Sequence, residues 1–412
     1  MKKLSVLLTG LVALLVAALP LMAQTPYAPP GHVRNYVVVQ DANHQNSPTG
    51  ILPRSYRAAY GFNQIPNAGA GVTIALIDAY KDPNIASDLA FYANYFHIAP
   101  CNFTVVDLAT IEGQGWDLEE SLDTQQACAL APAANIVLVE AVSDNDSDLN
   151  NAIVVAEGAP YYASVISMSY GEGEFNGEQD EDVYFCNIVN GNGQPVTNVA
   201  ATGDDGHGTG YPATSPCVVA AGGTTLGLST ALPLANPFLL DYGTESAWNG
   251  SGGGVSCYSG ANGPCAGGGE PEPSWQVTAC APYSPAGSRC IPDIASDSNP
   301  GTGVPVYDTF SYGGWVQVGG TSVATPDWAS FFTLVNSQRV INRQNTLSMA
   351  DPDLYTLYSN SIDYSHDLHD ITSGNNGGCG LLCDTEPGYD LVTGIGSYQA
   401  QNLWAAMVAM PN

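Results

Sequence analysis

The chain has 412 residues, 45% of them apolar and only 12% charged, a composition that forms a core and excludes a disordered or coiled-coil chain. Against 39 Asp and Glu stand 9 Lys and Arg, a formal net charge of −30, so nucleic acid and anionic lipid are both excluded as partners by repulsion. The 45 glycines favour a compact protein rich in turns over a helical array, and the length accommodates one large domain or two or three small ones.

Lys2 and Lys3 precede an apolar run from Leu4 to Leu19, which Pro20 breaks before Leu21-Met22-Ala23. A charged start, an apolar middle and a small-residue exit read as a secretory signal peptide over residues 1–23; an uncleaved membrane anchor is the alternative for the same segment. No later segment has the length and apolarity to span a membrane, so a secreted, extracellular protein is expected, with no membrane contact once the leader is cleaved. Past the leader, Lys81 is the sole lysine. So large an excess of acid repels itself at neutral pH and relaxes as carboxylates take up protons, which suits acidic surroundings; solubility at neutral pH is the other reading, and composition does not separate the two.

Ten cysteines in an exported chain are expected to form cystines. Cys257 and Cys265, Cys280 and Cys290, and Cys379 and Cys383 lie close in sequence; Cys101, Cys128, Cys186 and Cys217 complete the set, with connectivity open. A structural zinc site is disfavoured, because no neighbouring His completes a ligand set.

Residues 24–55 read as an N-terminal arm: they contain Pro, Asn and Gln and show no periodicity, and regular structure is expected from near Tyr56. From there, apolar strand-like runs at Val72–Ile77, Phe103–Val106, Ile136–Val139, Val165–Ser169 and Val199–Thr202 alternate with helical stretches at Asp88–Phe96, Leu118–Leu130 and Leu149–Ala156. Strand alternating with helix predicts an α/β fold, a parallel sheet with helices on both faces. Residues 241–320 are rich in Gly and Cys, with short strands and long loops; a strand at Trp315–Val318 then precedes a helix from Ser322 to Val340.

The sharpest local signal is Gly319-Gly320-Thr321-Ser322, a serine at the junction of a Gly-rich strand exit and a helix start. Glycines let a substrate backbone approach, and a helix N-terminus offers free N–H groups to a developing oxyanion; a serine that merely caps the helix is the bland reading. Asp78, His207 and Ser322 occur in the Asp, His, Ser order of subtilisins, but His207 follows Ser169-Tyr170-Gly171 in a Gly-rich loop instead of opening a helix before it, so it reads as a surface residue. The better partners are Glu119 and Asp123, which the i, i+4 spacing puts on one helix face. Either that face is exposed, or the two acids share a proton; Asp117 and Glu120 beside them read as solvated.

Glu119 with Asp123, Gly203-Asp204-Asp205-Gly206 and Gly320-Thr321-Ser322 occur in that order, and with Ala131-Pro132-Ala133-Ala134, Tyr211-Pro212-Ala213-Thr214-Ser215-Pro216 and Pro292-Asp293-Ile294-Ala295 between them the chain from Tyr56 onward resembles the sedolisin, or serine-carboxyl peptidase, family. The resemblance implies a subtilisin-like three-layer fold, with a central mostly parallel sheet flanked by helices, and a peptidase domain over residues 56–412. It implies that Ser322 attacks the scissile carbonyl, that Glu119 is general base and then acid with Asp123 holding it, and that a protonated Asp204 donates into the oxyanion hole. A carboxylate base works at acidic pH, where imidazole would be protonated. Members that extend this triad would use Asp78 and the position of Tyr170; a strand-end carboxylate capping a turn is an equal reading of Asp78. Ser169, Tyr170 and Gly171 would line the cleft and pair with an extended peptide substrate.

Near the C-terminus, carboxylates alternate with turn carbonyls, a pattern that suits a hard cation. The resemblance implies one structural calcium ion held by Asp370, Ile371, Glu386, Gly388 and Asp390, with Glu386 standing where the family has Gly and contributing its carbonyl oxygen. The expected function is that of a secreted, monomeric, acid-active endopeptidase acting on proteins or peptides. Only the short arm precedes the domain, without the family's full-length propeptide, and this motivates the alternative of a calcium-stabilised secreted binding protein that keeps the fold without turnover.

Overall fold

The structure, a computed structural model, describes residues 31–40, 46–230, 240–258, 268–284 and 287–411. The leader at 1–23, the first part of the arm and Cys265 lie outside the described residues. Among the described residues no helix is long and apolar enough to cross a membrane.

In chain order, β1 (Arg34–Asn35) and β2 (Val38–Val39) precede α1 (Pro53–Tyr60); then come β3 (Thr73–Ala79), α2 (Ile85–Tyr95), β4 (Asn102–Asp107), α3 (Asp117–Leu130), β5 (Asn135–Ala141), α4 (Asp146–Glu157), β6 (Val165–Met168), β7 (Tyr170–Gly173) and β8 (Thr197–Ala201). The second half carries β9 (Gly210–Tyr211), β10 (Val219–Thr230), β11 (Leu240–Ala247), β12 (Gly254–Val255), α5 (Val277–Cys280), β13 (Cys290–Ile291), β14 (Ile294–Asp297), β15 (Val304–Asp308), β16 (Gly314–Gly319) and the long helix α6 (Thr321–Ile341). The main sheet runs β11-β10-β8-β6-β3-β5-β4, with β14 also paired to β10. All its pairings are parallel except β10 with β11.

Alternation along the strands sorts their side chains into two cores. On β3, Ile74 and Leu76 pack with Leu118 and Leu122 of α3 and Val323 and Phe331 of α6, whereas Ala75 and Ile77 pack with Leu149 and Ile153 of α4 on the opposite face. The expected three-layer, mostly parallel architecture is therefore present, and the expected strands and helices recur within a few residues of their predicted limits. The same alternation puts Asp78 on the α3 and α6 side of the sheet, at the C-terminal end of its strand.

Two expectations need correction. Regular structure begins before Tyr56: α1 starts at Pro53, whose fixed φ suits a first helical turn, and the arm residues 34–39 are already extended. Val37-Val38-Val39 is a β-branched run, stiff in the extended form, and it finds strand edges to pair with. Asp117 and Glu120 are buried instead of solvated, as is every residue of α3, because α3 is wedged among α2, α6 and the sheet and keeps no face for water. Cystines join Cys101 to Cys128, Cys186 to Cys217, Cys280 to Cys290 and Cys379 to Cys383.

Candidate active site

In open α/β sheets ligands gather at the C-terminal ends of the strands, where the strand order reverses. Here β4 and β5 lie on one side of β3 and β6 on the other. Asp78 ends β3, Ser169 follows β6 and Asp204 follows β8, so chain segments remote in sequence converge on one edge. Gly320 leads into α6 with φ +102, and a Cβ there would lie 2.6 Å from Asp204 Oδ2 and collide with the Tyr36 carbonyl. Ser322, the second residue of α6, is buried and donates its hydroxyl to the Ser169 carbonyl at 3.3 Å.

Glu119 and Asp123, one helical turn apart on α3, are both fully buried beside this serine, so the exposed-face reading of their spacing is overturned. Asp123 Oδ1 accepts from Ser169 Oγ at 2.9 Å. Burial pushes the Glu119 carboxyl well above its ordinary range, and the Asp78 and Asp204 charges push the same way; the Ser322 hydroxyl and the Val37 N–H stand close enough to pull it back. Asp123 is likewise raised, by burial first and then by Asp78 and Glu119, against the Ser169 bond. Asp78 is raised to about 8 by burial and by Glu140 on the neighbouring strand. Neither Asp78 oxygen meets a hydrogen-bond partner, so it does not cap a turn. Three acids in one another's field titrate as a set and share protons.

Asp204 Oδ1 accepts from the Thr321 N–H at 2.7 Å and the Thr321 hydroxyl at 3.0 Å, while its Oδ2 is buried without a partner. Burial pushes its pKa from 3.8 to about 7; the two Thr321 bonds and the Arg34 charge pull it down. When Asp204 is neutral, Oδ1 is engaged as acceptor and Oδ2 is left to carry the proton. Asp205, its neighbour, is half-exposed and pairs with Arg34.

The strand predicted to line the cleft is covered by the chain's own arm. β1 pairs antiparallel with β7, Arg34 opposite Gly171 and Asn35 opposite Tyr170, and the Tyr36 N–H donates to the Ser169 carbonyl at 3.2 Å. Tyr170 is buried, with its ring 6.1 Å from that of Trp116. A Cβ on Gly171 would meet Tyr36 Oη at 2.8 Å, so glycine is required for the arm to lie there. Composition hid this segment; the valine run was its only signal.

At the C-terminal loop, Asp370 accepts from the Gly388 N–H at 3.0 and 3.2 Å, and Asp390 accepts from the Glu386 N–H at 3.2 Å, so the two carboxylates bracket the 386–388 turn. Among the described residues no hydrogen bond reaches the carbonyl oxygens of Ile371, Glu386 or Gly388. Two carboxylates with three unclaimed carbonyls fit an oxygen-seeking cation such as calcium. A second acidic group escaped sequence reading: Asp82, Asp88 and Asp308, all buried, bring carboxylate oxygens within 4.8 Å of one another. Loop contacts between residues 220 positions apart built it, and no local pattern announces it. His207 is exposed and lies against Gly254 and Gly377, in line with its reading as a loop residue. The cysteines nearest it, Cys379 and Cys383, are joined as cystine and offer no thiolates.

The subtilase family model matches residues 120–369. Sedolisin from Pseudomonas sp. (strain 101) is 28% identical over 391 residues, covering 86% of this chain and 61% of its own length. Kumamolisin from Bacillus sp. (strain MN-32) is 31% identical over 381 residues, covering 85% and 62%. The chain thus spans about three fifths of the length of these curated relatives. Among solved structures, Pseudomonas sedolisin (serine-carboxyl proteinase) complexed with two molecules of pseudo-iodotyrostatin superposes with a TM-score of 0.70 at 26% identity, over 87% of this chain and 98% of that one.

Asp78 and Asp204 hold their protons to about pH 8 and 7 in the folded chain, against 3.8 for the ordinary group. Between these limits the folded state binds more protons than the unfolded state, so stability falls as pH rises through the window. Denaturant midpoints are expected to be higher near the acidic end of that window than near pH 8, and Asp78→Asn should flatten part of the slope. A midpoint that climbs with pH would contradict the burial of these acids.

Proposed function

The chain belongs to the subtilase family, where it groups with the sedolisins, and from that premise we propose that it is a secreted, acid-active serine-type endopeptidase that hydrolyses peptide bonds through an acyl-enzyme on Ser322. The observation that carries this reading is the burial of Glu119 and Asp123 against a serine at a helix entrance, with Asp204 across from them. In this proposal the unit 56–412 is the peptidase domain, preceded by the arm 24–55 and the leader 1–23.

Ser322 Oγ attacks the substrate carbonyl and passes its proton to Glu119. For Glu119 to accept it in acid, the negative charge of the set must reside there, so Asp78 and Asp123 are the protonated members. A neutral Asp123 donates to Glu119 and holds it, and neutral Asp78 removes the repulsion that otherwise keeps Glu119 protonated. The tetrahedral oxyanion lies between the Ser322 N–H, unclaimed in the first turn of α6, and the Asp204 Oδ2 proton. Glu119 then returns its proton to the leaving amine, and water, activated by the same carboxylate, releases the acyl group. With the arm withdrawn from β7, Ser169, Tyr170 and Gly171 would offer the substrate a strand edge to pair with, an added strand that fixes the scissile bond over the serine.

One calcium ion is assigned to Asp370 and Asp390 with the carbonyls of Ile371, Glu386 and Gly388. It would neutralise two carboxylates and staple the 370–390 loop, a structural role away from the chemistry.

Three outcomes are expected. Ser322→Ala should lower hydrolysis of a denatured protein at acidic pH by roughly a thousandfold or more; equal cleavage by both proteins would remove the enzyme reading. Activity should fall as pH rises through about 7 as Asp204 loses its proton, and Asp204→Asn, which keeps a donor at every pH, should extend the profile towards neutrality, whereas Asp204→Ala should cost about a hundredfold or more in kcat. Chelation of calcium should lower Tm, with Asp370→Ala lowering it alike; a Tm indifferent to chelator would count against the site.

A further inference from the structure

We propose that Asp82, Asp88 and Asp308 form a buried site for one hard divalent cation of the calcium type, separate from the ion assigned to the 370–390 loop, which ties the segment after β3 to α2 and to the end of β15.

The three acids come from three parts of the fold. Asp82 lies between β3 and α2, Asp88 in the first turn of α2, and Asp308 at the last position of β15. They are 1, 2 and 0% exposed, in that order. One carboxylate oxygen from each lies within 4.8 Å of those from the other two. Calcium bonds oxygen at about 2.3–2.6 Å, so ligands on opposite sides of one ion stand roughly 4.6–5.2 Å apart. The spread of the three oxygens therefore fits inside a single coordination shell.

The carboxylates are held by groups that leave oxygens over. Asp82 Oδ1 accepts from the Asn84 N–H at 2.7 Å, and Asp308 Oδ1 accepts from the Phe310 and Ser311 N–H groups at 2.8 and 3.2 Å. Their second oxygens, Asp82 Oδ2 and Asp308 Oδ2, are buried without a hydrogen-bond partner. Asp88 is fixed by Thr309, whose N–H donates to Oδ2 at 2.7 Å and whose hydroxyl stands 2.9 Å from both oxygens. Asn84 Nδ2 holds that hydroxyl in turn, at 3.0 Å. Ligands fixed in advance lose little freedom when an ion arrives.

No side-chain cation answers these acids. Among the described residues no ion pair reaches Asp82, Asp88 or Asp308, or the buried Asp117 close by; Lys81, next to Asp82 in sequence, pairs with Asp107 instead. Burial pushes the Asp82 carboxyl up to about 7, against the Asn84 N–H, and the charges of Asp308, Asp88 and Asp117 push the same way as burial. A divalent ion that completes its shell with water answers both the mutual repulsion and the two bare oxygens. With oxygen as the only donor atom, the set favours a hard cation over the softer transition metals. The ion's place is beside the catalytic acids without touching them. Asp82 stands four residues past Asp78, and its N–H donates to Glu120 Oε2 at 3.0 Å and to Glu140 Oε1 at 3.3 Å, so an ion there fixes the chain as it leaves the end of β3.

The test strips the full chain of metal with a chelator, then titrates it with calcium alone at neutral pH, counting bound ions by equilibrium dialysis and following Tm. Asp370→Ala is expected still to bind an ion and to gain Tm from calcium, whereas adding Asp308→Asn to it should abolish both. In the otherwise unaltered chain, Asp82→Asn and Asp308→Asn, which keep the shape and an acceptor for the main-chain bonds but remove a charge, should each weaken one ion's binding at least about tenfold. An Asp370→Ala chain that binds no calcium, or an ion count and affinity that Asp82→Asn and Asp308→Asn leave unchanged, overturns the proposal. Wild-type crystals soaked in terbium, a calcium substitute visible by its anomalous scattering, decide the matter whatever the variants do. A peak among the three carboxylates is expected, and a map without one there overturns the site.

Discussion

The carboxyl groups of Asp78, Glu119 and Asp123 meet inside the protein, and among the described residues no ion pair reaches any of them. Burying a bare carboxylate costs several kcal/mol per ion even after relaxation, so the set is held partly protonated, with the Ser169 hydroxyl donating to Asp123. Geometry follows from this. The sheet must bring the end of β3 under α3, and α6 must present Ser322 to the same spot, because only a site closed on all sides keeps these acids out of water and their protons in place.

One buried carboxylate away from this set is met by a guanidinium. Arg289, fully buried, grips Asp293 through both terminal nitrogens at 2.8 and 2.5 Å and lies over the Trp275 ring at 5.1 Å. Asp293 in turn accepts from the Ala220 N–H at 2.8 Å, fixing the turn between β13 and β14 to β10. Arg289 serves this clamp, whereas no ion pair among the described residues reaches Asp78, Glu119 or Asp123. The first arrangement fixes the geometry of a turn; the second gives groups whose protons can move.

Beside the main sheet, the small antiparallel pieces β7 with β9 and β15 with β16 offer strand edges to an extended chain. Unpaired edges attract strands. In this molecule the strand that answers is the arm, between β7 and β16. Gly171 and Gly320 permit the contact, the first by leaving room for a ring and the second by letting a carbonyl approach Asp204.

Periodicity in the sequence was enough to set out the alternating strands and helices, since β3, β5, β6 and β8 are apolar runs of strand length, and the order of Glu119, Asp204 and Ser322 was enough to suggest their chemistry. What periodicity misjudged was exposure. The acidic start of α3 reads as a solvated face, because a spacing of four says which residues share a side and nothing about what covers that side. Asp117 and Glu120 were buried by helices and strands far away in the chain, as was the Asp82, Asp88 and Asp308 group. The arm shows the same division: Val37-Val38-Val39 disposes the backbone to be extended, but only the tertiary structure decides that its partners are β7 and β16, because strand pairing is a contract between edges that local sequence does not record.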